Sequence, residues 1–172
     1  MVGGAGPGGD ARLAALEELV ELRALEQVLI AYFDRVDARD AEGAAALFTE
    51  DTRCEIMTGK VLEGRERFAR ALGRVLAQYR RTSHHLTNVR GSVQGDEGET
   101  FAYVYAFHRM EETGEPWHLW VRIVDRFVRT PDGWRIAEHR LLGIDSVPPR
   151  ADIPDEWYAG HPGHPGSLAA GG

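Results

Sequence analysis

The chain has 172 residues and a formal net charge of −7, from 20 Lys and Arg against 27 Asp and Glu. This length suits one domain, and a hydrophobic content of 43% is enough for one core. The acidic excess argues against nucleic-acid binding, which depends on clustered Lys and Arg. No segment approaches the roughly 20 apolar residues that a membrane-spanning helix requires. A small molecule or a protein is the expected partner.

Cysteine content and the first residues bear on where the protein works. The single cysteine, Cys54, cannot form an internal disulfide, and it has no nearby histidine in sequence to make it a nucleophile. Residues 1–10 are rich in glycine and lack the basic and apolar regions of a signal peptide. A reducing, cytoplasmic location is therefore expected.

Glycine and proline concentrate at both ends of the chain. Such composition predicts a disordered segment over residues 1–12, one domain over residues 13–147, and an irregular tail over residues 148–172. The tail contains Trp157 and Tyr158, which are candidates to close over a binding site as a lid.

The first half of the domain has helical patterns. Apolar residues recur every three or four positions from Leu22 to Val36, which predicts an amphipathic helix with Asp37 at the edge of its apolar stripe. Asp40 is a suitable N-cap for a short helix over residues 41–48. Further helical and hairpin patterns follow, with a hairpin over residues 53–57 and 61–63 and a helix over residues 65–79.

The second half has strand patterns. Four segments rich in aromatic and β-branched residues are separated by turn residues, and they cover residues 83–93, 100–110, 117–129 and 134–142. Helices followed by a long antiparallel meander predict an α+β fold in which a curved sheet wraps around the N-terminal helices. Such a sheet forms a cone with an open mouth.

Sequence motifs for metals and nucleotide cofactors are missing. The chain has no HExxH or CxxC spacing, and its close histidine pairs are His84 with His85 and His161 with His164. No glycine-rich phosphate loop follows a predicted strand. Neither a metal nor a cofactor is expected.

Several polar residues lie inside otherwise apolar elements. A histidine that a carboxylate orients is the usual general base near neutral pH, because the imidazole pKa of about 6.5 lies close to the working range. Asp37 with a strand histidine would form such a pair. The polar residues concerned are Tyr32, Asp37, His84, Asn88, His108, Asp125 and Arg140.

Four runs of residues, in this order, resemble the SnoaL-like branch of the NTF2-like superfamily over residues 22–142. That branch includes scytalone dehydratase, bile acid 7α-dehydratase, hexachlorocyclohexane dehydrochlorinase and polyketide cyclases. The resemblance implies a cone with a pocket in its mouth, a His–Asp dyad at its base in the eliminating members, and a homodimer or homotrimer. The runs are YFDRVDARD at 32–40, ALFTED at 46–51, TSHHLTN at 82–88, and DGWRI at 132–136 with His139 and Arg140.

The resemblance also implies roles for individual residues. Asp37 matches the carboxylate of the dyad and His84 matches the base. Tyr32 matches a tyrosine that some dehydratases place over the substrate, and His108 falls where several members carry a second polar pocket residue. The expected substrate-binding set consists of His108, Asn88, Arg140 and His85.

Strand alternation disagrees with the motif about which histidine faces the core. In a regular strand, Val89 shares a face with His85, so His84 would point outward. A β-bulge near Thr87 or Asn88 would reverse this orientation, and bulges are common near active sites. We take His84 as the base and His85 as the second choice.

Structural interpretations stand beside the catalytic ones. Asp37 would then be a solvated helix end, Tyr32 a core aromatic, and His84 and His108 hydrogen-bonded buried histidines. Asp125 and Arg140 would pair with each other across the sheet.

Further along the chain, His118 and His139 are expected on a solvent or subunit face. The aromatic positions Phe101, Tyr103, Tyr105 and Phe107 are candidates for a subunit interface or for the pocket wall.

The sequence therefore predicts a cofactor-independent lyase or isomerase. Its His–Asp base would dehydrate or cyclise a small hydrophobic hydroxy-carbonyl compound, such as a polyketide-like or steroid-like intermediate. The alternative is a non-catalytic ligand-binding or assembly domain, since one fold hosts many functions. A third hypothesis is an epoxide hydrolase with an Asp-Arg-Asp set, of which Asp125 and Arg140 would supply a part.

Overall fold

A computed structural model of the protein describes residues 7–57 and 60–150, together with Ile153 and Trp157. The described residues form three helices and six strands. In chain order these are α1 (Pro7–Asp37), α2 (Ala41–Ala45), β1 (Phe48–Glu55), β2 (Val61–Glu63), α3 (Arg65–Leu76), β3 (Tyr79–Gln94), β4 (Glu97–Met110), β5 (Pro116–Thr130) and β6 (Gly133–Val147).

Helix α1 is longer than its apolar stripe. It begins at Pro7, within the segment expected to be disordered, where proline suits the first helical turn and Asp10 complements the helix dipole. Leu13 and Leu16 are exposed, whereas Leu25 is fully buried. The first half of α1 has no buried face, and for this reason the periodic apolar pattern predicts the helix only from Leu22 onward. In the described residues, no helix has both the length and the apolarity needed to cross a membrane.

The six strands form one curved, unclosed sheet in the order β2-β1-β6-β5-β4-β3. The predicted β1–β2 hairpin is present, with Cys54 opposite Leu62. All neighbouring strands are antiparallel except β1 and β6, which run parallel, so the sheet is not the purely antiparallel one expected. Together with the N-terminal helices, this sheet confirms the predicted α+β cone.

Two glycines bring α1 close to the sheet. A Cβ atom at Gly98 would lie 2.7 Å from Leu25 Cδ1, and one at Gly91 would lie 2.3 Å from the backbone oxygen of Glu99 and 3.3 Å from Leu22 Cδ2. Larger residues at these positions would push the helix away. The close approach holds α1 against β3, and Asp37 is the last residue of this helix.

The inner face of the sheet carries small and medium apolar residues. Ala102 and Ala106 on β4 and Val121 on β5 are buried beneath the helices, and the small side chains leave open space there. The aromatic residues of β4, such as Phe101 and Tyr105, alternate with the buried ones and are only partly buried. They lie on the outer face of the sheet and do not form the pocket wall.

Candidate active site

A cavity of about 210 Å³ lies between the helices and the inner face of the sheet. Its walls are mainly aliphatic and aromatic side chains from α1, α3 and strands β3 to β6. Polar side chains interrupt this apolar lining: the three histidines His84 on β3, His108 on β4 and His139 on β6, together with Gln78 and Arg150. An apolar cavity with a few convergent polar groups is the usual form of a small-molecule site.

Asp37 and His84 meet at this cavity. The Nδ1 atom of His84 lies 2.6 Å from Asp37 Oδ1. The backbone N–H of His84 donates to Asp37 Oδ2 at 2.9 Å, and the Thr82 hydroxyl donates to Oδ1 at 2.7 Å. Three donors therefore converge on one carboxylate, and they fix both its position and the ring that it orients.

These hydrogen bonds also set the charge of Asp37. Burial raises the pKa of the carboxyl group, but the hydrogen bonds from His84 and Thr82 outweigh it and hold the pKa below its ordinary value. An ionised Asp37 accepts the hydrogen on His84 Nδ1, which leaves Nε2 as the basic nitrogen of the neutral ring. Phe33 stacks on the ring at 5.2 Å between centroids.

A β-bulge turns His84 toward the cavity. The register between β3 and β4 shifts between Thr87 and Arg90, and Asn88 has a positive φ of 53°. The extra residue reverses the alternation, so His84 lies on the cavity side and His85 on the outer face. His85 is exposed and contacts Ser83 through its Nε2 atom.

His108 lies beside His84 in the cavity. The two rings are 5.5 Å apart, edge to face. Burial, and to a lesser degree the charge of His84, lowers the pKa of His108 to about 3. His108 is therefore a neutral imidazole at physiological pH, and its buried Nδ1 atom has no hydrogen-bond partner among the described residues.

Tyr32 borders the cavity on the side of His139. Its ring contacts Phe33 at 4.9 Å and His139 at 5.4 Å between centroids. Burial, with further contributions from Cys54 and Asp125, raises the pKa of the Tyr32 hydroxyl, so this group stays protonated.

Three residues of the expected substrate-binding set, including the exposed His85, lie outside the cavity lining. Asn88 is exposed, because it is part of the bulge itself. Arg140 bonds through Nε to Glu55 Oε2 at 3.0 Å. The expected pairing of Arg140 with Asp125 is also corrected, because Asp125 lies opposite His139 in the sheet.

Asp125 and His139 form a second His–Asp pair that the sequence did not reveal. His139 Nδ1 lies 2.5 Å from Asp125 Oδ1, and the two side chains are 1% and 0% exposed. His139 was expected on an outer face, but the β5–β6 register skips Ala137, and this bulge turns His139 inward. Plain alternation contains no signal for such an extra residue.

Two residues of the C-terminal tail pack against the domain. The Trp157 indole donates to the backbone oxygen of Leu141 at 3.1 Å, and its ring lies against Gly143, where an added Cβ would come within 2.4 Å. Ile153 borders the cavity. Tyr158, the other residue considered for a lid, lies outside the described residues.

Metal ligands do not cluster in the described part of the chain. No group of three or more His, Cys, Asp or Glu side chains there is arranged to hold a metal ion. The His161 and His164 pair lies outside the described residues.

Known proteins share both the sequence pattern and the fold. The family described as the SnoaL-like domain matches residues 17–140. The uncharacterized protein Rv2910c of Mycobacterium tuberculosis is 29% identical over 133 residues, which cover 74% of this chain and 88% of the relative.

Solved structures agree with this match. A candidate scytalone dehydratase from Novosphingobium aromaticivorans is 25% identical, with a TM-score of 0.73, and the match covers 78% of this chain and 91% of the other. A candidate dehydratase of the NTF2-like family from Streptomyces avermitilis is 20% identical, with a TM-score of 0.67 and coverage of 73% and 97%.

Proposed function

This chain belongs to the SnoaL-like family, and from that premise we propose that it is an enzyme whose general base is His84, oriented by Asp37. The sequence resemblance to this family is confirmed, and the family includes dehydratases and cyclases. The observation that carries the proposal is the 2.6 Å contact between His84 Nδ1 and Asp37 at the wall of an apolar cavity.

The proposed reaction begins with proton abstraction. His84 Nε2 removes a proton from a carbon next to a carbonyl group, and the C–H electron pair forms an enolate. Asp37 stabilises the imidazolium that results, because its carboxylate already accepts the Nδ1 hydrogen. The enolate then re-forms the carbonyl, makes a C=C bond and expels a β-hydroxyl group. The proton on His84 leaves with that hydroxyl as water.

His108 is the proposed stabiliser of the enolate oxygen. Its low pKa keeps it neutral, so it donates a hydrogen bond from one ring nitrogen without competing for the substrate proton. Such a donor is worth about 3 kcal/mol in the transition state. Its ring lies 5.5 Å from His84, which leaves room for the substrate carbonyl group near both rings.

The size and apolar lining of the cavity support a proposal for the substrate class. An apolar space of about 210 Å³ fits a small, compact hydrophobic hydroxy-carbonyl compound. Cyclisation by carbon–carbon bond formation uses the same base and the same enolate, so a polyketide-like or steroid-like intermediate is the other form of the proposal. Neither reaction transfers electrons to a cofactor.

The test uses a matched pair of neighbouring histidines. Incubation in D₂O with 1-indanone, followed by NMR, measures base-catalysed exchange of the protons next to the carbonyl group. A panel of cyclic β-hydroxy ketones, followed by enone absorbance, measures water loss. We expect His84→Gln to abolish both activities and His85→Gln, on the outer face, to retain them. Activity in His84→Gln equal to that of the unaltered protein would refute the proposal.

Other hypotheses fit the side-chain pairing less well. The Asp-Arg-Asp set of an epoxide hydrolase does not assemble from Asp125 and Arg140, because these residues pair with His139 and Glu55. A purely ligand-binding domain has no need for a carboxylate that orients a histidine at the cavity. Retention of ligand binding without exchange activity would favour that alternative.

The outer face of the sheet is the proposed subunit interface. Trp120 is 37% exposed there and lies 5.4 Å from the Tyr105 ring. Apolar surface of this kind is normally covered. We propose a homodimer or homotrimer formed through this face. Light scattering should give an oligomer for the unaltered protein and a smaller species for Trp120→Glu.

A further inference from the structure

The proposed reaction leaves the second His–Asp pair unused. His139 and Asp125 are almost completely buried, and His139 is part of the cavity wall. Burying an ionisable pair is costly, and replacement by apolar residues is often neutral or stabilising. A pair retained at a cavity therefore suggests contact with a ligand.

Two polar atoms beside this pair lack partners. The hydrogen on His139 Nδ1 is held by Asp125, so Nε2 is the ring nitrogen left over. Among the described residues, nothing forms a hydrogen bond with His139 Nε2 or with the Tyr32 hydroxyl. The two rings are 5.4 Å apart, and both border the cavity. Neither atom is among the fully enclosed polar atoms that lack a partner, so both have surface open to the cavity, where a ligand group or water can bind them.

Aromatic rings separate the His139 and Tyr32 side chains from His84. Phe33 stacks on His84 while Tyr32, its neighbour in α1, contacts His139. In the sheet, His84 lies on β3 and His139 on β6, with β4 and β5 between them. A ligand that reaches both histidines must therefore have two polar ends and an apolar body.

We propose that His139 and Tyr32 bind a hydroxyl group of the substrate at the end remote from the carbon that His84 deprotonates. The inference rests on the proposed function, whose substrate class it narrows. A hydroxyl group accepts a hydrogen bond from Tyr32 and donates one to His139 Nε2, so it satisfies both atoms at once.

Other ligand groups fit this position less well. A carboxylate would bring a second anion toward Asp125, and like charges in a buried site repel strongly. An apolar group would cover the Tyr32 hydroxyl and His139 Nε2 without forming a hydrogen bond to either, which is unfavourable for polar groups shielded from water. The remote group is therefore a neutral alcohol or phenol.

The test compares ligands that differ in one hydroxyl group. Calorimetric titration would use 1-indanone against 5-hydroxy-1-indanone, and the longer 4-phenylbutan-2-one against 4-(4-hydroxyphenyl)butan-2-one. For at least one pair we expect the unaltered protein to bind the hydroxylated member about tenfold more tightly, as one well-formed hydrogen bond allows. No preference in either pair, or no binding of any of the four, overturns the proposal.

Two variants test whether Tyr32 and His139 cause the preference for the hydroxylated ketone. Tyr32→Phe removes only an oxygen atom, and His139→Gln keeps a polar side chain; circular dichroism checks that each is folded. Both should lose most of the preference for the hydroxylated ketone while binding the parent ketone within about twofold of the unaltered protein. An undiminished preference in folded Tyr32→Phe overturns the assignment even where His139→Gln does not fold.

The same titration in His84→Gln separates this inference from the proposed function. Binding does not require proton abstraction, so the hydroxyl preference should persist in this variant even though exchange activity is lost. Persisting preference in an unaltered protein that shows no exchange activity would refute the catalytic proposal alone. Exchange activity without a hydroxyl preference would refute the inference alone.

Discussion

The cavity has two His–Asp pairs with the same Nδ1-to-carboxylate contact but different surroundings. Asp37 receives three hydrogen bonds, and its side chain is 30% exposed. Asp125 is fully buried and receives one from His139, and its Oδ2 atom has no partner among the described residues. The first carboxylate is stabilised as an anion by several donors and by water, whereas the second depends on one partner.

This difference suggests different tasks. A base that becomes an imidazolium during each turnover needs a carboxylate whose charge is already stabilised, and Asp37 provides it. A buried pair with a single hydrogen bond is better suited to hold one tautomer and one ring orientation. We therefore assign proton transfer to His84 and ligand recognition to His139, and the following changes test this division.

The largest expected effect is on catalysis. Asp37→Asn should lower kcat about 10³-fold, within the 10² to 10⁴ range of general-base contributions, because the amide no longer fixes the Nδ1–H tautomer of His84. The measurement is the exchange rate of 1-indanone in D₂O. Asp34→Asn, an exposed residue one turn earlier in α1, is the matched control and should retain activity. A loss of less than threefold in Asp37→Asn would contradict the assignment.

The second prediction concerns the contribution of the Asp125–His139 pair to the free energy of unfolding. His139→Leu should lower the free energy of unfolding by about 3 to 5 kcal/mol, because it leaves Asp125 buried without its partner. The double variant Asp125→Leu with His139→Leu should recover much of this loss. Urea denaturation measures both. A double variant as unstable as the single one would mean that packing, and not the unpaired charge, dominates at this site.

His108 should make stability depend on pH. Its pKa falls from the ordinary value near 6.5 to about 3 in the folded protein, so between these values the unfolded chain binds the proton and the folded protein does not. Stability should therefore fall by about 1.4 kcal/mol per pH unit on acidification below pH 6.5. This slope is only half developed at pH 6.5, so between pH 7 and pH 5 the His108→Gln variant should lose about 2 kcal/mol less stability than the unaltered protein. An unchanged slope would mean that His108 does not contribute.

The smallest effect is the stability contribution of Asp37. Its pKa is lowered in the folded protein, so its contribution is complete above the ordinary carboxyl pKa near 4 and disappears as pH falls through the lower folded value. Asp37→Asn should be about 1 to 2 kcal/mol less stable at pH 7, and the difference should shrink below pH 4. If the stability difference between Asp37→Asn and the unaltered protein stays constant from pH 7 to pH 3, it arises from packing and not from the charge of Asp37.

Much of the fold was predictable because its signals are local. The periodic apolar positions of α3, the turn residues Pro131, Asp132 and Gly133, and the alternation along β4 each identify an element without knowledge of the rest. The parallel pairing of β1 with β6 was not predictable in this way. It depends on which strands meet after the sheet has curved, and no local pattern records that.

The site was only partly predictable, because two of the three cavity-facing histidines, His84 and His139, depend on β-bulges. The motif identified Asp37 and His84 as partners, although plain alternation favoured His85, and the bulge at Asn88 accounts for the difference. No motif compensated for the extra residue Ala137 in β6, so His139 was placed on the wrong face. One inserted residue reverses the face of every residue beyond it, and only the strand register reveals it.

The close contact between α1 and the sheet has a consequence for the evolution of this chain. Leu25 is fixed against Gly98, and Asp37 is twelve residues further along the same helix, or about 18 Å at 1.5 Å per residue. The helix therefore fixes the distance and the relative orientation of Leu25 and Asp37. One residue inserted between these two positions would rotate the carboxylate by about 100° around the helix axis and carry it away from His84. Insertions and deletions should therefore be rare in this stretch and accumulate in turns such as the one at Gly114, where sequence length has no bearing on the position of the carboxylate.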